Sequence, residues 1–414
     1  TPKPSSAASD VYKRQQIEQY NKGTLFPNTY EETYLATEHI SGIKLNIPDD
    51  VFNKLKKAIE AKGLYFGDDS VLRNIIAGLI KGNIILQGPP GTGKTTLAKL
   101  ICDVFNVDFT EATANSDWTT YDSIGGLQPT ANEEGQEVIV GKNGYVVSSI
   151  LKCCDLIVQN EYEDGKQQGN WLVLDELNRC EIDKVFGDLF TALGSDSTTA
   201  ERVINLWYQK DENKQKIYIP NRFRIIGAMN NIDKNYVNDI SQGLSRRFTF
   251  IDILPPAEDY FEKEASNAKE LAKTRVAEKV SVYGTETINL EYLKQLDELN
   301  EMQEVEKNIL EFIKHIRYNH MEDDSYLGLQ IGTAQIIDLY ESIYISMIVS
   351  NWKDDVNRND LISDIADTTL AGRIIPQLDG YDYNKLSAFY DAVVDDKDFS
   401  FLRKSKEALY KMIH

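Results

Sequence analysis

The sequence predicts an α/β fold with a parallel sheet flanked by helices, followed by an all-helical domain. Three observations predict it. Between Asn83 and Ile251 short continuous apolar runs alternate with helical patterns, as expected of strands covered on both faces. One of those runs meets the glycine-rich stretch GPPGTGKT at residues 88–95 and then turns directly helical. From about Ala257 to His414, in stretches such as LKQLDELNEMQEVEKNILEFIKHI, apolar residues recur at helical spacing and no strand signal of weight returns.

Taken in order, residues 1–23 read as a disordered or non-native leader, since TPKPSSAASDVYKRQ is rich in Pro, Ser and Ala and has no apolar period. Residues 24–82 read as a helical segment ahead of the core. PDDVFNKLKKAIEAKG opens on two Asp, places Val51, Phe52, Leu55 and Ile59 at helical spacing and stops at Gly, and DDSVLRNIIAGLIKG is a second helix. The α/β domain spans 83–256, with strands expected at Ile84–Gln87, Val107–Ala112, Trp171–Leu174, Phe223–Ala228 and Phe248–Ile251. Two hairpins interrupt it. One is EVIVGKNGYVV, residues 137–147, turning at Asn143-Gly144; the other, RVINLWYQKDENKQKIYIP, has a charged tip between apolar arms Val203 and Ile219. The helical domain occupies 257–414.

A chain of 414 residues suits two or three domains. Its 65 acidic and 45 basic side chains leave a formal charge of −20, which argues against a surface that grips nucleic acid throughout, while a local basic groove or pore stays open. No apolar run is long enough to span a bilayer and no signal peptide is evident, so no membrane association and a cytoplasmic location are expected. The four cysteines have no metal-ligand spacing, and His315 and His320, five apart, do not share a helix face; no metal site built from Cys or His is expected.

The chemistry concentrates in four motifs. Gly88, Pro89, Pro90, Gly91, Thr92, Gly93, Lys94 and Thr95 satisfy G-x-x-x-x-G-K-[ST] between a strand and a helix, with Thr96 next in line. The glycines let backbone N–H groups face an anion, Lys94 reaches terminal phosphates and the Thr95 hydroxyl suits Mg²⁺. WLVLDELNR ends a buried strand in Asp175, suited to hold Mg²⁺, and Glu176, suited to orient and polarise water. An acidic pair also opens helices for dipole reasons alone, but the phosphate loop makes that reading the weaker one. FRIIGAMNN ends a further strand in Asn230, whose amide can contact a γ-phosphate and the attacking water, although Asn also suits turns. LSRRF puts Arg246 and Arg247 before the last strand, either as a solvated cap or as fingers reaching a neighbouring subunit's nucleotide.

Together these motifs resemble the core of an AAA+ ATPase, in particular the McrB-like branch related to the MoxR and dynein-type proteins. DELNRCEIDKVFGDLFTALGSD is similar to that branch's D-E-I-N-R and following helix, IGAMNNID to its G-T-M-N-T-A-D, and LSRRF to its L-R-R-R-F, over roughly residues 70–385. The resemblance implies an Mg²⁺-dependent nucleoside triphosphatase, ATP favoured and GTP an alternative. It also implies a homo-oligomer in a hexameric ring, Asn230 as the sensor residue, Arg246 and Arg247 as finger candidates and the helical domain as a lid. The hairpins would lie near the pore and ahead of the sensor. The chain departs from the pattern at Asp233-Lys234, where the branch has D-R, and at Gln335 in GTAQ, where MoxR relatives carry an arginine. No methylated-DNA-reading segment is visible in the short stretch before the core, so substrate choice is expected to come from an effector such as a McrC-like nuclease, with nucleic acid reached through the pore or that partner. The alternatives are a MoxR-like chaperone that activates a partner protein, and a nucleotide-gated scaffold with little hydrolysis.

Overall fold

A computed structural model describes residues 37–38, 40–66, 69–131, 135–160, 166–194, 201–230, 242–284, 286–320, 323–350, 352–354 and 357–414. The leader at 1–23 and the Asp233-Lys234 departure lie outside these residues. The chain divides into two compact units. The first runs through the sheet to Ile253; the second is Leu254–His414 together with the short stretches Glu60–Gly67 and Pro89–Gly93.

In the first unit, α1 (Val51–Ala61, its last two residues belonging to the second unit) and α2 (Asp69–Lys81) precede β1 (Asn83–Gly88), α3 (Lys94–Val104) and β2 (Asp108–Thr113). Then come α4 (Thr120–Ser123), the hairpin β3 (Gly125–Ala131) and β4 (Glu137–Asn143), α5 (Tyr145–Asn160) and β5 (Asn170–Asp175). The unit closes with α6 (Ile182–Phe186), the hairpin β6 (Val203–Asn205) and β7 (Lys216–Tyr218), β8 (Ile225–Asn230), α7 (Gln242–Ser245) and β9 (Phe248–Asp252). Five strands form one parallel sheet in the order β2-β5-β8-β1-β9. Each central strand is buried almost end to end: Ile84, Ile85 and Leu86 of β1 and Trp171, Leu172 and Val173 of β5 are fully enclosed. Each such side chain contributes about 1.5–3 kcal/mol, which is why the apolar runs show no alternation. Trp171 satisfies its indole by donating to the Arg222 carbonyl at 2.7 Å, and its ring meets Phe105 at 5.2 Å.

One expected hairpin is placed wrongly. Asn143-Gly144 does not turn a strand back on itself: Glu137–Asn143 pairs with Gly125–Ala131 upstream, and Tyr145–Val147 begins α5. Gly144 is required for close approach, since a Cβ there would sit 2.5 Å from the Asp122 carbonyl oxygen, and its N–H donates to the Ile124 carbonyl at 2.8 Å. The true partner arm, GGLQPTA, has no alternating apolar signal, and its Pro129 is tolerated because the ribbon has only two strands. The second hairpin pairs Val203–Asn205 with Lys216–Tyr218, inside the expected arms.

The second unit is helical, as expected: α8 (Phe261–Lys279), α9 (Leu290–Asp297), α10 (Asn300–Arg317), α11 (Thr333–Val349), α12 (Arg358–Arg373), α13 (Tyr383–Val394) and α14 (Arg403–Ile413). A two-residue ribbon, Val282–Tyr283 against Glu286–Thr287, is too short to leave a pattern in the sequence. Phe312 of α10 meets Phe389 and Phe399 at 6.0 and 5.2 Å in the core. A buried Arg317 is clamped on Glu264 through Nη1–Oε2 at 2.6 Å and Nη2–Oε1 at 3.0 Å, and Thr333 also donates to that carboxylate. Removing one partner would strand the other charge, a loss of about 3–5 kcal/mol.

Candidate active site

The register of the parallel sheet brings the site together. Gly88 at the end of β1 lies opposite Asn230 at the end of β8, and β5 beyond it ends in Asp175. The carboxyl ends of adjacent parallel strands are where such sheets open a crevice.

Gly88 is followed by the loop and then by α3, whose first residue is Lys94. Gly91 (φ 76°) and Gly93 (φ 83°) adopt left-handed backbone that a side chain would strain. Thr92 secures the loop by donating to the Pro89 carbonyl at 3.1 Å. Lys94 is only 7% exposed and its Nζ donates to the Gly88 carbonyl at 3.1 Å. Burial lowers its pKa to about 8, against the pull of the Asp175 and Glu176 charges. Thr96 is exposed on α3.

The Thr95 hydroxyl donates to Asp175 Oδ2 at 2.8 Å, while Asp175 Oδ1 accepts the Glu176 N–H at 2.9 Å. A hydroxyl and a carboxylate in contact are hard oxygen donors of the kind Mg²⁺ takes, so these two residues fit that ion. Glu176 has φ 53° and ψ 36°, the left-handed region, which costs a residue with a Cβ about 1–2 kcal/mol. This turn points the carboxylate at the end of β8. Asn230 Nδ2 donates to both Glu176 oxygens, each at 3.1 Å, and Arg179 Nε donates to Oε2 at 3.0 Å.

Asn178 ties the arrangement down from behind. Its Oδ1 accepts the Asn230 N–H at 3.3 Å and its Nδ2 donates to the Asn230 carbonyl at 3.4 Å. Sequence reasoning gave neither Asn178 nor Arg179 a role. The available signal was the match of DELNR to D-E-I-N-R, in which they follow the acidic pair after Leu177.

The two arginines of LSRRF part company. Arg247 is half-buried, donates to the Phe190 carbonyl at 2.8 Å and the Gly243 carbonyl at 3.2 Å, and lies over the Phe190 ring. Arg246 is exposed. Within the second unit, Gln335 donates to the Pro90 carbonyl at 3.2 Å and the Ala334 N–H donates to the Gly91 carbonyl at 3.0 Å, so the GTAQ stretch is seated on the loop through an uncharged amide.

Residues 83–248 match the AAA domain of the dynein-related subfamily. That likeness extends over less than half of the chain. Over 284 residues the chain is 28% identical to the EcoKMcrB subunit of a type IV methyl-directed restriction enzyme from Escherichia coli K12, covering 60% of this chain and 57% of that protein. It thus spans little more than half of that relative. An uncharacterised Staphylococcus epidermidis protein is 30% identical over 99 residues, covering 24% of this chain and 32% of its own length. A RuvB variant from Thermotoga maritima overlays with a TM-score of 0.37 at 16% identity, covering 84% of this chain and 88% of that one. The AAA match takes in the phosphate loop, Asp175, Glu176, Asn230 and both arginines. No described helix is long and apolar enough to cross a membrane.

Proposed function

We propose that the chain is an Mg²⁺-dependent nucleoside triphosphatase, the McrB-like motor subunit of an oligomeric AAA+ assembly that hands its conformational work to a nuclease-type effector. The observation that carries this reading is the strained Glu176, held by both carboxylate oxygens on Asn230 beside the Thr95–Asp175 pair. A protein that only bound nucleotide would gain nothing from a water-directing carboxylate kept in a costly backbone conformation.

The roles follow from the positions. Backbone N–H groups of residues 88–95 and the Lys94 ammonium bind the phosphates. Thr95 and Asp175 would hold Mg²⁺, which when bound neutralises charge on the β- and γ-phosphates. Glu176 accepts a proton from the attacking water on a lone pair that the Asn230 amide does not occupy. Arg246, exposed beside the tethered Arg247, is the better placed of the two to reach a neighbouring subunit's nucleotide. A hexameric ring is the assembly in which that reach completes each site. The likeness to the restriction subunit supports the effector reading, while ATP is favoured and GTP is the alternative.

The test is steady-state phosphate release with ATP and GTP in parallel across protein concentration, with Glu176→Gln as control. Turnover that rises more steeply than protein concentration and vanishes in Glu176→Gln, while nucleotide still binds, is expected. Turnover retained by Glu176→Gln would sink the assignment of the water-directing residue. Turnover strictly proportional to concentration, down to dilutions where the chain sediments as a monomer, would sink the shared site.

A further inference from the structure

The first unit carries a second concentration of positive charge away from the phosphate loop. A cavity of about 360 Å³ opens where β1 begins, at Asn83, with Lys44, Lys81, Arg202 and Arg224 on its walls. Gly88, where the phosphate loop starts, is at the other end of the same strand, roughly 17 Å away at about 3.3 Å per residue. In a chain of net charge −20, four cations line this space and no carboxylate among the described residues does.

The two arginines are built in rather than hung on the surface. Arg224 is 7% exposed and spends its donors on backbone carbonyls: Nε on Leu79 at 2.6 Å, Nη1 on Asn221 and Phe223 at 2.7 Å each. It caps the last turn of α2, and no carboxylate among the described residues pairs with it. Burial, helped by the neighbouring Arg202 charge, lowers its pKa to about 10. Arg202 is fixed by one bond, Nη1 to Asn221 Oδ1 at 2.7 Å, while its buried Nε has no acceptor among the described residues. A guanidinium N–H buried without a partner is unfavourable, because it has given up water and gained no acceptor. An arginine pair that repels itself and keeps a donor unspent is stabilised by an anion.

The remaining walls are apolar, including Leu45, Ile80, Leu193 and Phe223. The volume is that of a small-molecule pocket, and the phosphates of a duplex, which run along a surface, would meet only its rim. We propose that this cavity is a second anion site that takes a phosphate-bearing small molecule, its phosphate on Arg202 with Lys44 and Lys81 at the mouth and its apolar part against Ile80 and Phe223.

The experiment uses the full chain carrying Lys94→Ala, so that the phosphate loop does not dominate, and titrates inorganic pyrophosphate by calorimetry at low salt. Saturable binding is expected, weakened at least tenfold by Arg202→Met and about threefold by Lys81→Ala, the loss of one charge-assisted contact and one rim charge. Lys81 is exposed, so the second variant keeps the reading testable if Arg202→Met disturbs folding. Absence of binding, or binding that both variants leave unchanged, overturns the site; residual binding at the phosphate loop would be of the second kind. Displacement of pyrophosphate by AMP supports the small-molecule assignment. Displacement by a short DNA duplex but not by AMP overturns it in favour of polynucleotide phosphates.

Discussion

Replacing Asn230 with alanine leaves Glu176 with Arg179 as its remaining side-chain partner among the described residues. The lost group is one amide shared between two carboxylate oxygens at 3.1 Å each. A hydrogen bond to a charged group contributes about 1.5–3 kcal/mol. Because the Glu176 side chain is 23% exposed and the amide is shared, the lower end of that range applies, about 1.5–2 kcal/mol. At about 1.4 kcal/mol per tenfold in rate, kcat should fall roughly ten- to thirtyfold. Nucleotide affinity should stay within about threefold, since Lys94 and the loop are untouched. The assay is steady-state phosphate release for kcat and KM, with equilibrium nucleotide binding measured separately on the same preparation. A wild-type kcat, or an unchanged kcat with a raised KM, would refute the idea that Asn230 acts by positioning Glu176.

The low pKa of Lys94 gives nucleotide binding a pH dependence with a definite sign. The free protein carries the ammonium below about pH 8 and loses it above, so binding at higher pH must take up a proton. Apparent affinity should weaken about tenfold between pH 7 and pH 9, measured by titration calorimetry in two buffers of different ionisation enthalpy; a flat profile refutes it. The strained backbone predicts that Glu176→Gly is more stable than Glu176→Ala by about 1 kcal/mol, read as unfolding midpoints in urea, and equal midpoints would remove the strain. Arg246→Ala should leave the melting temperature unchanged while lowering turnover of the assembled protein, whereas Arg247→Ala should lose about 1–2 kcal/mol of stability through its Phe190 and Gly243 carbonyl contacts. Similar melting losses in both variants would contradict the separation of the two arginines.

The parts of this protein readable from sequence are those whose physics is local. A phosphate loop needs glycines, a lysine and a hydroxyl at fixed spacing, so GPPGTGKT declares itself without knowledge of the rest of the fold. The buried strands declare themselves too, because a strand covered on both faces has no polar residue to spare; four of the five expected strands start and stop within about one residue of where they lie, and β8 alone is displaced, by two residues at both ends. DELNR offered Asp175 and Glu176 for the same reason, a carboxylate pair at a strand end.

What the tertiary structure decided are the pairings between distant segments. Asn143-Gly144 looks like a hairpin turn because local sequence does not reveal that the Asp122 backbone presses on Gly144, or that GGLQPTA is the waiting partner. Asn178 and Arg179 carry no signature of their own, and their roles exist only because β5 and β8 lie side by side and bring Asn230 onto Glu176. The left-handed turn at Glu176 is likewise invisible in a residue type that seldom adopts it. The equivalence of Arg246 and Arg247 in LSRRF ends only when Phe190, more than fifty residues earlier, offers its carbonyl to one of them. The sequence by itself determined which chemistry the chain can hold, because that depends on residue types at short spacing. Which side chains face one another depends on strand order and register, free energies summed over the whole sheet, and only the folded chain settles them.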